Sequence, residues 1–150
     1  MERTIDMQLM RYINIFDRTT KVSTNDCFVY NNTIYFAVPK KLIFKALGKN
    51  AENARMISGI LRKKIRVVAM PEESDLSKDN EKKRIETLKK FVSEVVAPIE
   101  FSGFDLIDDV VNISGSRETK AILIGRDRSK EKELEDILKR NFGVKGLRIA

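Results

Sequence analysis

Two landmarks recur in this chain at one fixed offset, and that recurrence limits the possible folds more than any other feature. Gly48 follows the polar turn pair Asn31-Asn32 by 16 positions from its second residue, and Gly125 follows Asp108-Asp109 by the same 16, so both landmarks repeat 77 residues apart. In that register Leu47 falls on Ile124 and Lys49 on Arg126. Agreement of spacing, local chemistry and element order marks a duplicated structural unit. A chain of 150 residues then forms two small cores.

Each half follows the same plan. Ile5, Leu9, Tyr12, Ile13 and Phe16 are spaced as one face of an amphipathic helix that lies on a sheet. Cys27 to Tyr30 and Thr33 to Val38 are β-rich runs around Asn31-Asn32, residues that accept the positive φ of a tight hairpin turn. Pro39 suits the first turn of a helix faced by Leu42, Ile43, Ala46 and Leu47, and Gly48 stops it. A second helix turns Ala54, Ile57, Ile60 and Leu61 inward, and Ile65 to Ala69 returns as a strand. After the polar stretch "MPEESDLSKDNEKKR", the second half repeats the order. Ile85, Leu88, Val92 and Val95 form a helical stripe, and Pro98 to Ile107 and Val110 to Ser114 form strands around Asp108-Asp109. "AILIG" leads into Gly125, Leu134, Ile137, Leu138 and Phe142 line a helix ended by Gly143, and Leu147 to Ile149 closes the unit. The expected units are residues 1–72 and 85–150, with 73–84 as a linker running into the next helix.

Composition removes several classes of function. No histidine is present and Cys27 is the one cysteine, which excludes an intrachain disulfide and the usual zinc, haem and catalytic-dyad arrangements. Glu72-Glu73 and Asp108-Asp109 are adjacent pairs on turns, not facing carboxylates. An enzyme is disfavoured, and no cofactor, metal or small-molecule substrate is expected. Apolar runs are short, and Glu2, Arg3 and Asp6 interrupt the amino end where a signal peptide needs an apolar stretch, so neither a membrane span nor export is expected and the location expected is cytoplasmic.

The formal net charge is +7, and its placement is more informative than its size. Lys40 to Arg66 holds nine basic residues against the single acid Glu52, a local +8 that brackets Gly48. A glycine between two helices lets backbone approach a ligand closely, and the following helix directs amide groups and its positive dipole end at that point. With Lys49 beside it, the connector can grip a phosphodiester without reading bases. The plainer alternative is that Gly48 and Gly125 only end helices and Asn50 caps the next one, while Lys45, Lys49 and Arg55 are solvated. Leu47 and Ile57 are candidates either for the apolar lining of a base-binding groove or for the core. The dense charges of the last helix read as helix support, with Glu135 and Asp136 four residues before Lys139 and Arg140.

Three stretches carry a family resemblance: "RYINIFDRTTKV" with "DCFVYNNTIYFAV", "KALGKNAENARMISGILRKKIRVV", and "FVSEVVAPIEF" with "LIGRDRSKEKELEDILKRNFGVKGLRI". The element order resembles the type II KH domain, an α+β fold whose three-stranded sheet is covered on one face by helices. Two in tandem resemble the archaeal NusA-type transcription factors. The resemblance implies binding of single-stranded, nascent RNA and association with RNA polymerase during elongation or termination. It places Gly48, Lys49, Asn50 and Ala51 in the first RNA-binding loop, flanked by Lys45, Leu47, Arg55 and Ile57, and Gly125, Arg126, Asp127 and Arg128 in the second. Both loops depart from Gly-x-x-Gly at the last position. Ala51 adds only a methyl group, harmless at negative φ, whereas Arg128 is bulky and Asp127 sets a negative charge where a phosphate would approach. Two alternatives remain: a KH-fold scaffold that docks on polymerase or a ribosomal partner with little RNA affinity, and a factor that binds folded ribosomal RNA during ribosome assembly.

Overall fold

The structure, a computed structural model, describes residues 6–150. Glu2, Arg3 and Ile5, to which the sequence assigned roles, lie outside the described residues. The protein is α+β and divides into two compact units, Met1–Met70 and Pro71–Ala150, each with its own three-stranded mixed sheet.

In the first unit, helix α1 (Met7–Thr20) opens at Asp6, whose carboxylate accepts from the Gln8 and Leu9 amides at 2.8 and 3.4 Å. It presents buried Tyr12 and Phe16 to the sheet. Strands β1 (Asp26–Tyr30) and β2 (Thr33–Pro39) pair antiparallel around Asn31 and Asn32, both with positive φ (51° and 58°) as the tight turn demands. A single 3-10 turn (Lys40–Leu42) leads into α2 (Ile43–Leu47), a short connector, and α3 (Glu52–Leu61). Strand β3 (Lys64–Met70) then runs parallel to β2, with Phe36 opposite Val67. Alternation along the strands sends Cys27, Ile34, Phe36 and Val38 to the helix side. There they join Tyr12, Phe16, Ala46 and Ile57 in one buried cluster, with Phe16 and Phe36 stacked at 4.3 Å between ring centroids. Ile60, expected inward, is 52% exposed.

The second unit repeats the order. Helix α4 (Glu81–Val96) takes in the last four residues of the stretch expected to run into it, and Asn80 caps it by accepting from the Lys83 amide at 3.2 Å. Before it, Glu73–Leu76 forms a 3-10 turn packed against α4. Strand β4 (Gly103–Ile107) pairs with β5 (Val110–Ser114) around Asp108 and Asp109, again both at positive φ. The expected strand from Pro98 is thus shorter, for a reason of register. Ser102 N–H donates to Ser114 O at 2.9 Å, the chain then leaves for α5 (Arg117–Ile124), and residues 98–101 have no partner strand opposite them. A second connector joins α5 to α6 (Ser129–Phe142), and β6 (Gly146–Ile149) pairs parallel with β5. Leu106, Val111 and Ile113 from the sheet and Leu88, Val92, Leu123, Leu134 and Leu138 from the helices are buried.

The turn of this hairpin is fastened to α4. Arg84, only 6% exposed, donates from Nη1 to Asp109 Oδ1 at 2.8 Å, and Lys78 Nζ stands 3.7 Å from Oδ2. The hydrogen bond from Arg84 holds the Asp109 carboxyl below its ordinary range, helped by the Arg84, Lys78 and Lys145 charges and opposed by burial.

Candidate functional site

The two glycine connectors have one backbone shape. Gly48 N–H donates to Phe44 O at 3.0 Å and closes α2, yet Gly48 itself has φ 78° and ψ 175°. That region is open essentially to glycine alone. It differs from the left-handed helix ending seen at Gly143, where φ is 65° and ψ is 21°. Gly48 therefore ends α2, as the sequence allowed, but in a bend that only glycine adopts readily. A Cβ there would lie 2.9 Å from Cγ and Nδ2 of Asn53 and 3.2 Å from its backbone nitrogen. Gly125 repeats the geometry at φ 73° and ψ 175°, with Lys130 against the space a Cβ would take.

Beyond each glycine come two successive non-glycine residues in the left-handed region: Asn50 (54°, 34°) and Ala51 (57°, 31°), then Asp127 (55°, 30°) and Arg128 (60°, 22°). This corrects two expectations. Ala51 does not keep negative φ, so its methyl group is strained, by roughly 1 kcal/mol. Nor does Asn50 cap α3, since Ala51 occupies the cap position and offers no side-chain acceptor. The asparagine that joins the two helices is Asn53, whose Nδ2 donates to Lys45 O at 3.4 Å.

Helices α1, α4 and α5 begin on side-chain caps from Asp6, Asn80 and Ser116, whereas α2 and the two helices after the connectors, α3 and α6, have none. Uncapped first-turn amides at the positive end of a helix dipole suit an anion. Lys49 and Asn50 are exposed at the bend, with Lys45 and Arg55 exposed on the flanking helices. The structure brings these residues together with Gly48 and Ala51. Leu47 is half-buried, and Ile57 does not belong with them: fully buried, it is part of the core cluster. Of the basic set, Arg66 is committed to the sheet, its guanidinium 5.6 Å from the Tyr35 ring centroid.

The second connector differs in its side chains. Arg128 Nη1 is paired with Glu131 Oε1 at 2.8 Å, and Asp127 stands where Asn50 does. Lys40 to Arg66 carries +8, but the equivalent span, Arg117 to Gly143, has eight basic residues against six acidic, or +2. Sequence reasoning missed Phe44, which is 85% exposed one turn before Gly48, and Met56, 49% exposed on α3. The helical period held the signal for Phe44, because the inward set Leu42, Ile43, Ala46 and Leu47 leaves it on the outer side with Lys41 and Lys45.

Among the described residues no group of three or more cysteine, aspartate or glutamate side chains is placed to hold a metal ion, and no helix is long and apolar enough to cross a membrane. No family model matches the chain, and no curated protein matches it. Among solved structures, the crystal structure of APE1850 is similar to it with a TM-score of 0.61 and 24% sequence identity, over 97% of this chain and 100% of that one. That likeness bears on the fold alone and extends through both units.

Proposed function

We propose that this protein is a non-catalytic RNA-binding protein made of two tandem units of the type II KH kind, resembling the archaeal NusA-type factors. In this reading it grips the backbone of single-stranded, nascent RNA at the Gly48–Ala51 connector and works alongside RNA polymerase in the cytoplasm. One observation carries it: a glycine-only bend followed by an uncapped helix, set within the +8 span of Lys40 to Arg66. Phosphate contacts of that kind give affinity without sequence preference, and bases are read beside them. The second unit, with Asp127 at the bend and Arg128 drawn to Glu131, extends the surface and contributes less grip.

The test is fluorescence anisotropy of a short labelled single-stranded RNA at several salt concentrations. Each neutralised phosphate adds roughly 0.7 to the slope of log affinity against log salt for single strands. Lys49→Asp with Asn50→Asp lowers both affinity and that slope while leaving the thermal melt unchanged. Binding equal to the parent's overturns the connector as the grip. The features of the second connector also favour a KH-fold scaffold that docks on polymerase or a ribosome-assembly partner. That reading requires negligible affinity for any RNA together with a pull-down that survives nuclease and high salt.

A further inference from the structure

Among the described residues no large apolar side chain is more exposed than Phe44, at 85%. A phenylalanine so exposed leaves nearly its whole ring in water, and its surroundings are charged. From Pro39 to Ala51 the chain carries Lys40, Lys41, Lys45 and Lys49 and no acid, and all four lysines are exposed. Phe44 is joined to the connector directly, since its carbonyl accepts the Gly48 amide at 3.0 Å. One helical turn, a rise of about 5.4 Å, separates ring-bearing residue and bend. Lys40 and Lys41 lie on the 3-10 turn that leads directly into α2, and Lys45 follows Phe44 in the chain.

The other unit supplies an internal comparison. At the equivalent places it has Arg117, Glu118, Ala121 and Ile122 for Lys40, Lys41, Phe44 and Lys45. The ring is absent there, and Glu118 and Asp127 bring two acids into a span that holds none in the first unit, although the backbone of the connector is kept. An exposed ring amid cations that follow a polyanion is the arrangement on which single-stranded nucleic acids stack their bases.

We propose that Phe44 is a stacking platform for a nucleobase of single-stranded RNA, next to the phosphate held at the Gly48–Ala51 connector, and that this subsite belongs to the first unit alone. The inference rests on the RNA-binding reading above and adds to it a residue and a role. Phe44→Ala weakens binding of a short labelled oligouridylate roughly tenfold, within the range of about five- to 150-fold typical of a base–aromatic stack. Because no charge is removed, its salt slope matches the parent's, unlike that of the Lys49→Asp, Asn50→Asp variant. The protein contains no tryptophan, so Phe44→Trp installs a sole indole reporter, which keeps the affinity and is quenched when the RNA binds. A parent that binds no RNA removes both the platform and the reading beneath it. RNA binding that depends on Lys49 and Asn50 but is unchanged in Phe44→Ala, or an indole that RNA leaves unquenched, overturns the platform alone.

Discussion

Replacing Gly48 with alanine tests the backbone of the connector. At φ 78° and ψ 175° a non-glycine residue carries about 1–3 kcal/mol of conformational strain. The new Cβ also meets Asn53 Cγ and Nδ2 at 2.9 Å, and Asn53 can swing away only by giving up its bond to Lys45 O. At 3.4 Å that bond is long, so its loss adds roughly 0.5 kcal/mol. The Asn53 backbone nitrogen at 3.2 Å cannot move without shifting the start of α3. Together these give a loss of about 2–4 kcal/mol. Two other glycines serve as controls, neither having any atom within 4 Å of an added Cβ. Gly143→Ala, in the ordinary left-handed region, costs about 1 kcal/mol. Gly59→Ala, inside α3, gains about 0.5–1 kcal/mol from helix propensity. Urea unfolding followed by far-ultraviolet circular dichroism ranks the series as Gly59→Ala, parent, Gly143→Ala, Gly48→Ala, from most to least stable. A Gly48→Ala variant no weaker than Gly143→Ala would refute the glycine-only bend.

Two further outcomes follow from the same geometry. Ala51→Gly relieves roughly 1 kcal/mol of left-handed strain against about 0.4–1 kcal/mol of unfolded-chain entropy, so it is neutral to slightly stabilising; a clear loss of midpoint in the same assay contradicts the positive φ. Asp109→Asn keeps a residue suited to positive φ but leaves buried Arg84 without its carboxylate, at a cost of about 3 kcal/mol. Because the folded-state pKa of Asp109 is depressed, this contribution is complete above the unfolded value of about 4 and fades as pH falls through the lower folded value. Melts of parent and Asp109→Asn should therefore differ most near neutral pH and converge in acid.

Much of the architecture was legible because it depends on residues with few conformational choices. Asn31-Asn32 and Asp108-Asp109 announced two tight hairpins, and their distance to Gly48 and Gly125 announced the repeat. The positive φ of Ala51 and Arg128 was not legible, since nothing in an alanine or an arginine signals it; the closure from α2 to α3 and from α5 to α6 imposes it. Residues 98–101 looked like a strand by composition, but pairing is decided by what lies opposite, and β5 ends at Ser114. Ile57 and Ile60 were given the same inward role, yet only Ile57 meets the sheet-facing cluster while Ile60 faces water. Phe44 was passed over because the inward set Leu42, Ile43, Ala46 and Leu47 left it on the outer face, where no role was read for an apolar residue.

The two connectors trace the same dihedral path with different side chains at every position after the glycine. Each is in effect a socket cut to one gauge, into which either set of residues can be fitted. A chain with two such sockets can change the contents of one while the other keeps its own, so the two are free to diverge in side chains without a change of backbone. The same interchangeability makes the molecule a ready chassis for grafting. Lys49, Asn50 and Ala51 can be traded for Arg126, Asp127 and Arg128 as a cassette, and any change in behaviour then belongs to the side chains, because the backbone on either side of the exchange is already alike.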